Sequence, residues 1–293
     1  MILVTGATGL NGRELVKLLS GRGVPVRALV RTPAKAQLLA SLPGVAIVEG
    51  DMMQPDSLRP ALADVDRAML ISSTTPDMLD AQVRFIDAAR AAGVRHVVKL
   101  CGIIPELDSP FRFARMHTEI EKHLEDSGLA FTHLRAGEFM QMYFRQATHI
   151  ATRGVLPLPM ADGRIASIDV GDIARVAAAV LTTDGHEGKI YPLTGPESLT
   201  MSEVADRISA AIGRPVRYVA VDPEEAHQAR IAAGMPPYLV AGLDELFAER
   251  RKGMEARVWP TIAEVFGWQP ATFADFARRN AAIFRGEEPA AKA

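Results

Sequence analysis

The sequence predicts an α/β protein built on a doubly wound, mostly parallel sheet, joined to a smaller and mostly helical C-terminal lobe. Three observations carry that prediction. Short β-branched runs alternate with segments of helical period through about residue 150, a glycine-spaced turn closes the first run, and the alternation stops in the second half.

The strands read, in order, "ILVTG", "PVRALVR", "VAIVEGD", "RAMLISS", "HVVKLCG" and "AFTHLRAG". Between them, "GRELVKLLSGRG" and "DMLDAQVRFIDAARAAG" repeat apolar positions at helical spacing and end in glycine, which takes a left-handed C-cap without a Cβ clash. In such a sheet ligands gather at the carboxyl ends of the strands. "GVLPLPMADGR" then breaks the alternation, and two further extended runs are expected, "KIYPLTG" and "VRYVAVD". Thr200 and Glu203 have the spacing of a capping box at the start of the next helix. "GMPPYLVAGLDELFAERRKG" reads as a helix with a wet face, and "GEEPAAKA" as a frayed tail. The expected domains are residues 1–150 for the sheet and 151–293 for the lobe, with some strands of the lobe returning to the main sheet.

Composition removes several function classes. A net charge of −2 with both signs interspersed leaves no basic footprint for nucleic acid. Cys101 is the single cysteine, so an intrachain disulfide is excluded and a reducing compartment fits. No apolar run reaches the roughly 18 residues of a membrane span, and the opening "MILVTG" reads as a strand rather than a leader. The expected location is cytoplasmic. A homodimer or a regulatory protein partner stays open.

The turn "TGATGLNG" sets Gly6, Gly9 and Gly12 between a strand and an amphipathic helix, with Thr8, Leu10 and Asn11 completing the loop. Its spacing differs by one residue from the commonest dinucleotide fingerprint. The physics is the same: glycine lets backbone approach a pyrophosphate, and the helix N-terminus offers free amides. A Rossmann-like dinucleotide site is the expectation. Arg31 stands 31 − 12 = 19 residues beyond Gly12, where binders of the unphosphorylated dinucleotide place an acid. A guanidinium there can clamp a 2′-phosphate, and Lys35 adds a point charge, so NADPH is expected over NADH. A solvated Arg–Lys pair at a strand end is the plain alternative. Asp51 faces the adenine end of the site or caps the helix near "PDSL".

On the stretches "TGATGLNG", "ALVRTPAKA", "VEGDMMQPDSL", "GVRHVVKL", "HTEIEKHLEDSGLAFTHLRAGEFMQ" and "LTGPESLTMSEVADRISAAIGRPVRYV" the chain resembles the NmrA-like atypical short-chain dehydrogenases, in particular their bacterial quinone and triphenylmethane reductases. The resemblance implies that the fourth and fifth strands end beside the nicotinamide, which brings Ser72, Thr74, Cys101 and Gly102 to the reactive ring. Many relatives carry serine where Cys101 stands. A lone cysteine on a buried strand reads first as a small core residue and second as a nucleophile.

The same resemblance puts Phe113 and His117 at the tyrosine and lysine of a Tyr-x-x-x-Lys arrangement. Phe113, Met116, His117, Ile120 and Leu124 share the apolar face of one helix. Phenylalanine cannot donate a proton. Reduction of a plain ketone, whose developing alkoxide needs a donor, is therefore disfavoured. Quinones and cationic dyes need less: the first spreads its charge and the second is neutralised by hydride. His117 is read as a satisfied core residue, a nicotinamide-ribose contact or a weak general acid. In "EFMQMYF", Phe139, Met140 and Tyr143 are core side chains or the walls of a pocket for a flat hydrophobe, and Tyr143 is the best remaining phenol donor. His117, His123, His133 and His149 form no metal-binding pair on one face, so no metal is expected. Asp169 and Asp172 read as caps. The leading expectation is an NADPH-dependent reductase of quinones or similar conjugated or cationic acceptors. The alternative is an NADP(H)-binding redox sensor that does little chemistry.

Overall fold

The computed structural model describes residues 1–103 and 107–289. The last four residues of the tail expected to fray lie outside the described residues. The predicted strands of the first half all form: β1 (Ile2–Val4), β2 (Val26–Val30), β3 (Val45–Glu49), β4 (Arg67–Leu70), β5 (His96–Gly102) and β6 (Ala130–Ala136). Every residue of β1 and β4 is buried, as expected for central strands covered on both faces. The two later runs give β9 (Lys189–Leu193) and β11 (Arg217–Ala220).

The break expected at "GVLPLPMADGR" is corrected by the structure. Val155–Leu158 forms β7, which pairs in parallel with β11, and Arg164–Ile165 forms β8, which pairs antiparallel with β10 (Leu199–Thr200). Each is short, and Pro157 interrupts the apolar run of β7, so none carries the period-2 alternation by which strands are read.

The large sheet has seven strands in the order β3-β2-β1-β4-β5-β6-β9. The pairs from β3 through β6 are all parallel. This is the doubly wound order, with its reversal between β1 and β4. The chain forms two compact units. One comprises Met1–Ser109, Phe113–Ala136 and Val170–Pro192, and the other Pro110–Arg112, Gly137–Asp169 and Leu193–Ala293. The boundary expected at residue 150 falls inside the second of these. Leu3, Leu58, Phe85, Val97, Ile120 and Leu124 belong to the core of the first unit. The second has its own core, with Met140, Ile208, Phe273, Phe276 and Phe284 among its buried members. Its helix Met201–Ile212 opens on the predicted capping box: Thr200 Oγ1 accepts from the Glu203 amide at 3.2 Å and Glu203 accepts from the Thr200 amide at 2.8 Å.

Candidate functional site

At the reversal point Thr5 holds the two diverging strands together. Its hydroxyl donates to the Ile71 carbonyl and accepts from the Ile71 amide, each at 2.7 Å. Gly6 follows with φ +57°, and a Cβ there would lie 2.9 Å from the Ile71 oxygen. The Gly9 amide closes the turn onto the Gly6 carbonyl at 2.9 Å. A Cβ on Gly12 would meet the Gly6 oxygen at 2.3 Å, so only glycine lets the helix Leu10–Gly21 start this close to the loop. That helix makes its first backbone bond from Arg13 to Gly9, which leaves the amides of Leu10, Asn11 and Gly12 without an intrahelical acceptor. Thr8 and Gly9 are exposed beside them. Asn11 Oδ1 is buried with no hydrogen-bond partner, an acceptor that an incoming donor would satisfy.

Arg31 follows the last residue of β2, and Lys35 lies in the short 3₁₀ turn Pro33–Ala36. Both are exposed, and neither forms an ion pair among the described residues. Asp51 is engaged locally: its Oδ1 accepts from the Met53 amide at 2.9 Å, and its backbone amide donates to Ser57 Oγ at 2.9 Å. It therefore shapes the turn before the helix Pro55–Leu62, whose N-cap is Gln54. Ser72 and Thr74 lie in the loop after β4. Ser72 Oγ accepts from Gln82 Nε2 at 2.7 Å, and Gln82 Oε1 is left buried without a partner.

The carboxyl half of β5 holds what sequence reasoning missed. Lys99 is 0% exposed, and its Nζ lies 2.9 Å from His117 Nδ1 and 3.1 Å from Cys101 Sγ. His117 is presented by the helix Arg112–Asp126, on the same face as the buried Phe113. The Cδ2 edge of its ring leans over Gly102, 3.7 Å from where a Cβ would stand. Burial, then the neighbouring Lys99, holds its pKa well below the usual 6.5. Cys101 is buried, and desolvation pushes its thiol well above its ordinary value, so it has no thiolate character. A strand lysine reads as solvated in a sequence. The signal that it is not is its place inside the otherwise uninterrupted apolar run of "HVVKLCG".

Behind Cys101, Glu121 is 2% exposed and takes Arg135 at two points, Nε to Oε1 at 3.2 Å and Nη2 to Oε2 at 2.6 Å. Burial opposes the Glu121 carboxylate, but Arg135 and His133 hold its pKa below the usual range. His133 is bound through Nε2 to Glu125 at 3.0 Å, its Nδ1 is buried without a partner, and burial lowers it to about 4. Cys101, Glu121 and His133 bring potential metal ligands within 4.8 Å of one another, from three separate elements that histidine spacing could not connect. The cations beside them are protein groups, Arg135 on the carboxylate and Lys99 on the sulfur.

In the second unit, Met140 and Tyr143 are buried in the core, and Phe139 bridges to Ile168. The Tyr143 ring meets Phe273 edge-on at 5.1 Å, and its hydroxyl points to Met201 Sδ at 3.6 Å. Burial and Glu138 raise its pKa well above the ordinary tyrosine value, which weakens it as an acid. Glu138 itself receives Arg250 at 2.7 Å, and Arg250 also binds Glu255 at 2.6 Å. Asp169 accepts from Gln141 at 2.9 Å and from Arg279; Asp172, which belongs to the first unit, sits in the first turn of the helix Val170–Thr182 beside Arg175.

The glycine turn, the open helix N-terminus and the free cation at the end of β2 define an α/β protein of the dinucleotide-binding class. The chain belongs to the NmrA-like family, which matches residues 1–277. It is 41% identical over 284 residues to the NAD(P)H azoreductase of Xenophilus azovorans, covering 97% of this chain and 99% of that one. Its fold overlays the crystal structure of the NADPH-dependent quinone oxidoreductase of Escherichia coli complexed with NADPH, with a TM-score of 0.86 at 32% identity, over 95% of this chain and 99% of that one. The triphenylmethane reductase of Citrobacter sp. complexed with NADP(H) gives the same TM-score, 0.86, at 27% identity, over 96% of this chain and 100% of that one.

Proposed function

We propose that this chain is an NADPH-dependent reductase of quinones, azo compounds or related conjugated or cationic acceptors. The carrying observation is the combination of the Leu10, Asn11 and Gly12 amides, which have no intrahelical acceptor, with Arg31 and Lys35, which form no ion pair among the described residues: separate places for a pyrophosphate and a 2′-phosphate. The orphaned Asn11 Oδ1 fits the same ligand, because an acceptor buried without a partner costs free energy until a donor reaches it. When bound, the reduced dinucleotide supplies hydride. Ser72, Thr74, Gly102 and His117, at the carboxyl ends of β4 and β5 and on the helix above them, are the residues proposed to flank its nicotinamide end.

Azoreductase, quinone oxidoreductase and triphenylmethane reductase are the activities named for the relatives above, and azo compounds, quinones and triphenylmethane dyes are all conjugated and easily reduced. Phe113 and the neutral His117 support that acceptor class, since no tyrosine stands at this helix to serve an unactivated ketone. The protein then acts chiefly by positioning.

Oxidation of NADPH against a panel of quinones, azo dyes, triphenylmethane dyes and simple ketones tests the reading, with turnover expected on the first three and none on the last. Binding of NADPH over NADH should favour the phosphorylated form by about tenfold to a hundredfold, the value of one charge-assisted contact of roughly 1.5–3 kcal/mol. Arg31→Ala should remove most of that preference. Equal affinity of the wild type for both cofactors would sink the assignment of Arg31, and tight binding without turnover of any acceptor would mark a sensor.

A further inference from the structure

We propose that Lys99 is a positioning residue that supplies protons through His117, so that the two form a relay ending at His117 Nε2 and replacing the missing tyrosine. The proposal rests on the reading of the chain as a reductase.

Held as an ammonium, Lys99 Nζ offers only donors, and His117 Nδ1 at 2.9 Å then accepts from it. In a neutral ring the remaining proton then sits on Nε2. The ring is kept neutral by its burial and by the cation at its back. Nε2 has no protein partner among the described residues, and the ring edge it shares with Cδ2 leans over Gly102, the last residue of β5. That is the end of the sheet where ligands of this fold are held. A neutral imidazole that polarises an acceptor is a known solution to this problem.

The surroundings of Lys99 argue against a purely structural role. Cys101 faces it from its own strand, His117 and Glu121 from the helix, and His133 and Arg135 from β6. Glu121 is taken by Arg135, and among the described residues no carboxylate lies in ion-pair contact with Nζ. A buried charge without a direct counter-ion is costly, and stability gives no reason to keep one.

With hydride supplied by a bound reduced dinucleotide, the acceptor would carry a negative charge on oxygen or nitrogen. The Nε2–H bond breaks as the new O–H or N–H bond forms, and an Nδ1–H bond forms as an Nζ–H bond of Lys99 breaks. The acceptor has gained one hydride and one proton, the imidazole has exchanged tautomers, and Lys99 is left as an amine. In the reset a water O–H bond breaks as Nε2 is reprotonated, hydroxide leaves to solvent, and the Nδ1–H bond breaks as its proton returns to Nζ. A cationic dye carbon is neutralised by hydride alone and draws no proton from the pair.

Nitrogen NMR of the labelled histidine rings reads the arrangement without turnover. In the wild type, His117 should show a bare Nδ1 and a protonated Nε2, and should stay neutral to a pH well below the ordinary histidine range. Lys99→Met should lose the fixed tautomer and titrate at higher pH. Lys99→Gln, whose amide still donates to Nδ1 but has no proton to transfer, should keep the tautomer. Both variants should lose about a hundredfold in quinone or azo turnover, within the usual span for proton transfer. Their loss on a cationic triphenylmethane dye should be at least tenfold smaller. A wild-type ring protonated at Nδ1, or equal losses on the two acceptor classes, would overturn the relay. A wild type that turns over no acceptor removes the reductase reading, and the ring spectrum then decides by itself whether Lys99 holds the Nε2–H tautomer.

Discussion

In the second unit Arg250 lies between Glu138 and Glu255, with contacts of 2.7 and 2.6 Å to the two carboxylates, and its guanidinium stands 5.7 Å from the Phe247 ring. In the first unit Lys99 is equally deep but meets an imidazole and a thiol, neither of which carries opposite charge. The arginine network is closed by fixed ions. The lysine cluster ends in a ring nitrogen with no protein partner among the described residues. A closed network can only hold a conformation, whereas an open one has a donor to spend on a ligand.

The largest expected effect breaks the closed network. Arg250→Met leaves two carboxylates buried without their cation and should cost about 3–5 kcal/mol in urea unfolding. A loss below about 1 kcal/mol would show that Glu138 and Glu255 shed their charge cheaply, and the contrast between the clusters would fail. Burial already raises the Glu255 pKa even with Arg250 present, so that outcome has a physical route.

The next effect is a pH dependence in the open cluster. His133 has a folded pKa of about 4 against 6.5 when unfolded, so between those values the unfolded chain binds the extra proton. Stability should therefore be fully present above pH 6.5 and fall as pH drops toward about 4, by at most about 3.5 kcal/mol at roughly 1.4 kcal/mol per unit. His133→Asn should flatten that slope, and an unchanged slope would assign it to other groups. The smallest effect is the most telling. Lys99→Met replaces a buried cation by an apolar side chain of similar length and should leave unfolding within about 1 kcal/mol of the wild type. A loss as large as that of Arg250→Met would make Lys99 a structural residue.

Strands β1 to β6, the glycine turn and the capping box were legible because each is local: a run, a spacing or a pair within one turn of chain. The same locality explains the misses. β7 is stabilised by β11 across some 60 positions, Val155 pairing with Arg217, and its own residues do not announce that partner. Residue types marked Phe113 and His117 as unusual, yet not the reason, because Lys99 reaches His117 from another element. Asp51 could be read as a cap or a ligand group, and only the Met53 and Ser57 bonds show the turn it builds. Tyr143 looked like an available phenol until its place among Phe273 and Met201 was known.

The first unit is assembled from three separate stretches of chain, the last of which, Val170–Pro192, brings the helix Val170–Thr182 against Leu10–Gly21 and most of the edge strand β9. A single crossover near Ile150 would thus strand part of the sheet on the wrong parent. The first unit is not a cassette that recombination or protein engineering can lift out with one cut. Exchanging one whole unit between relatives of this architecture requires junctions after Ala136, Asp169 and Pro192.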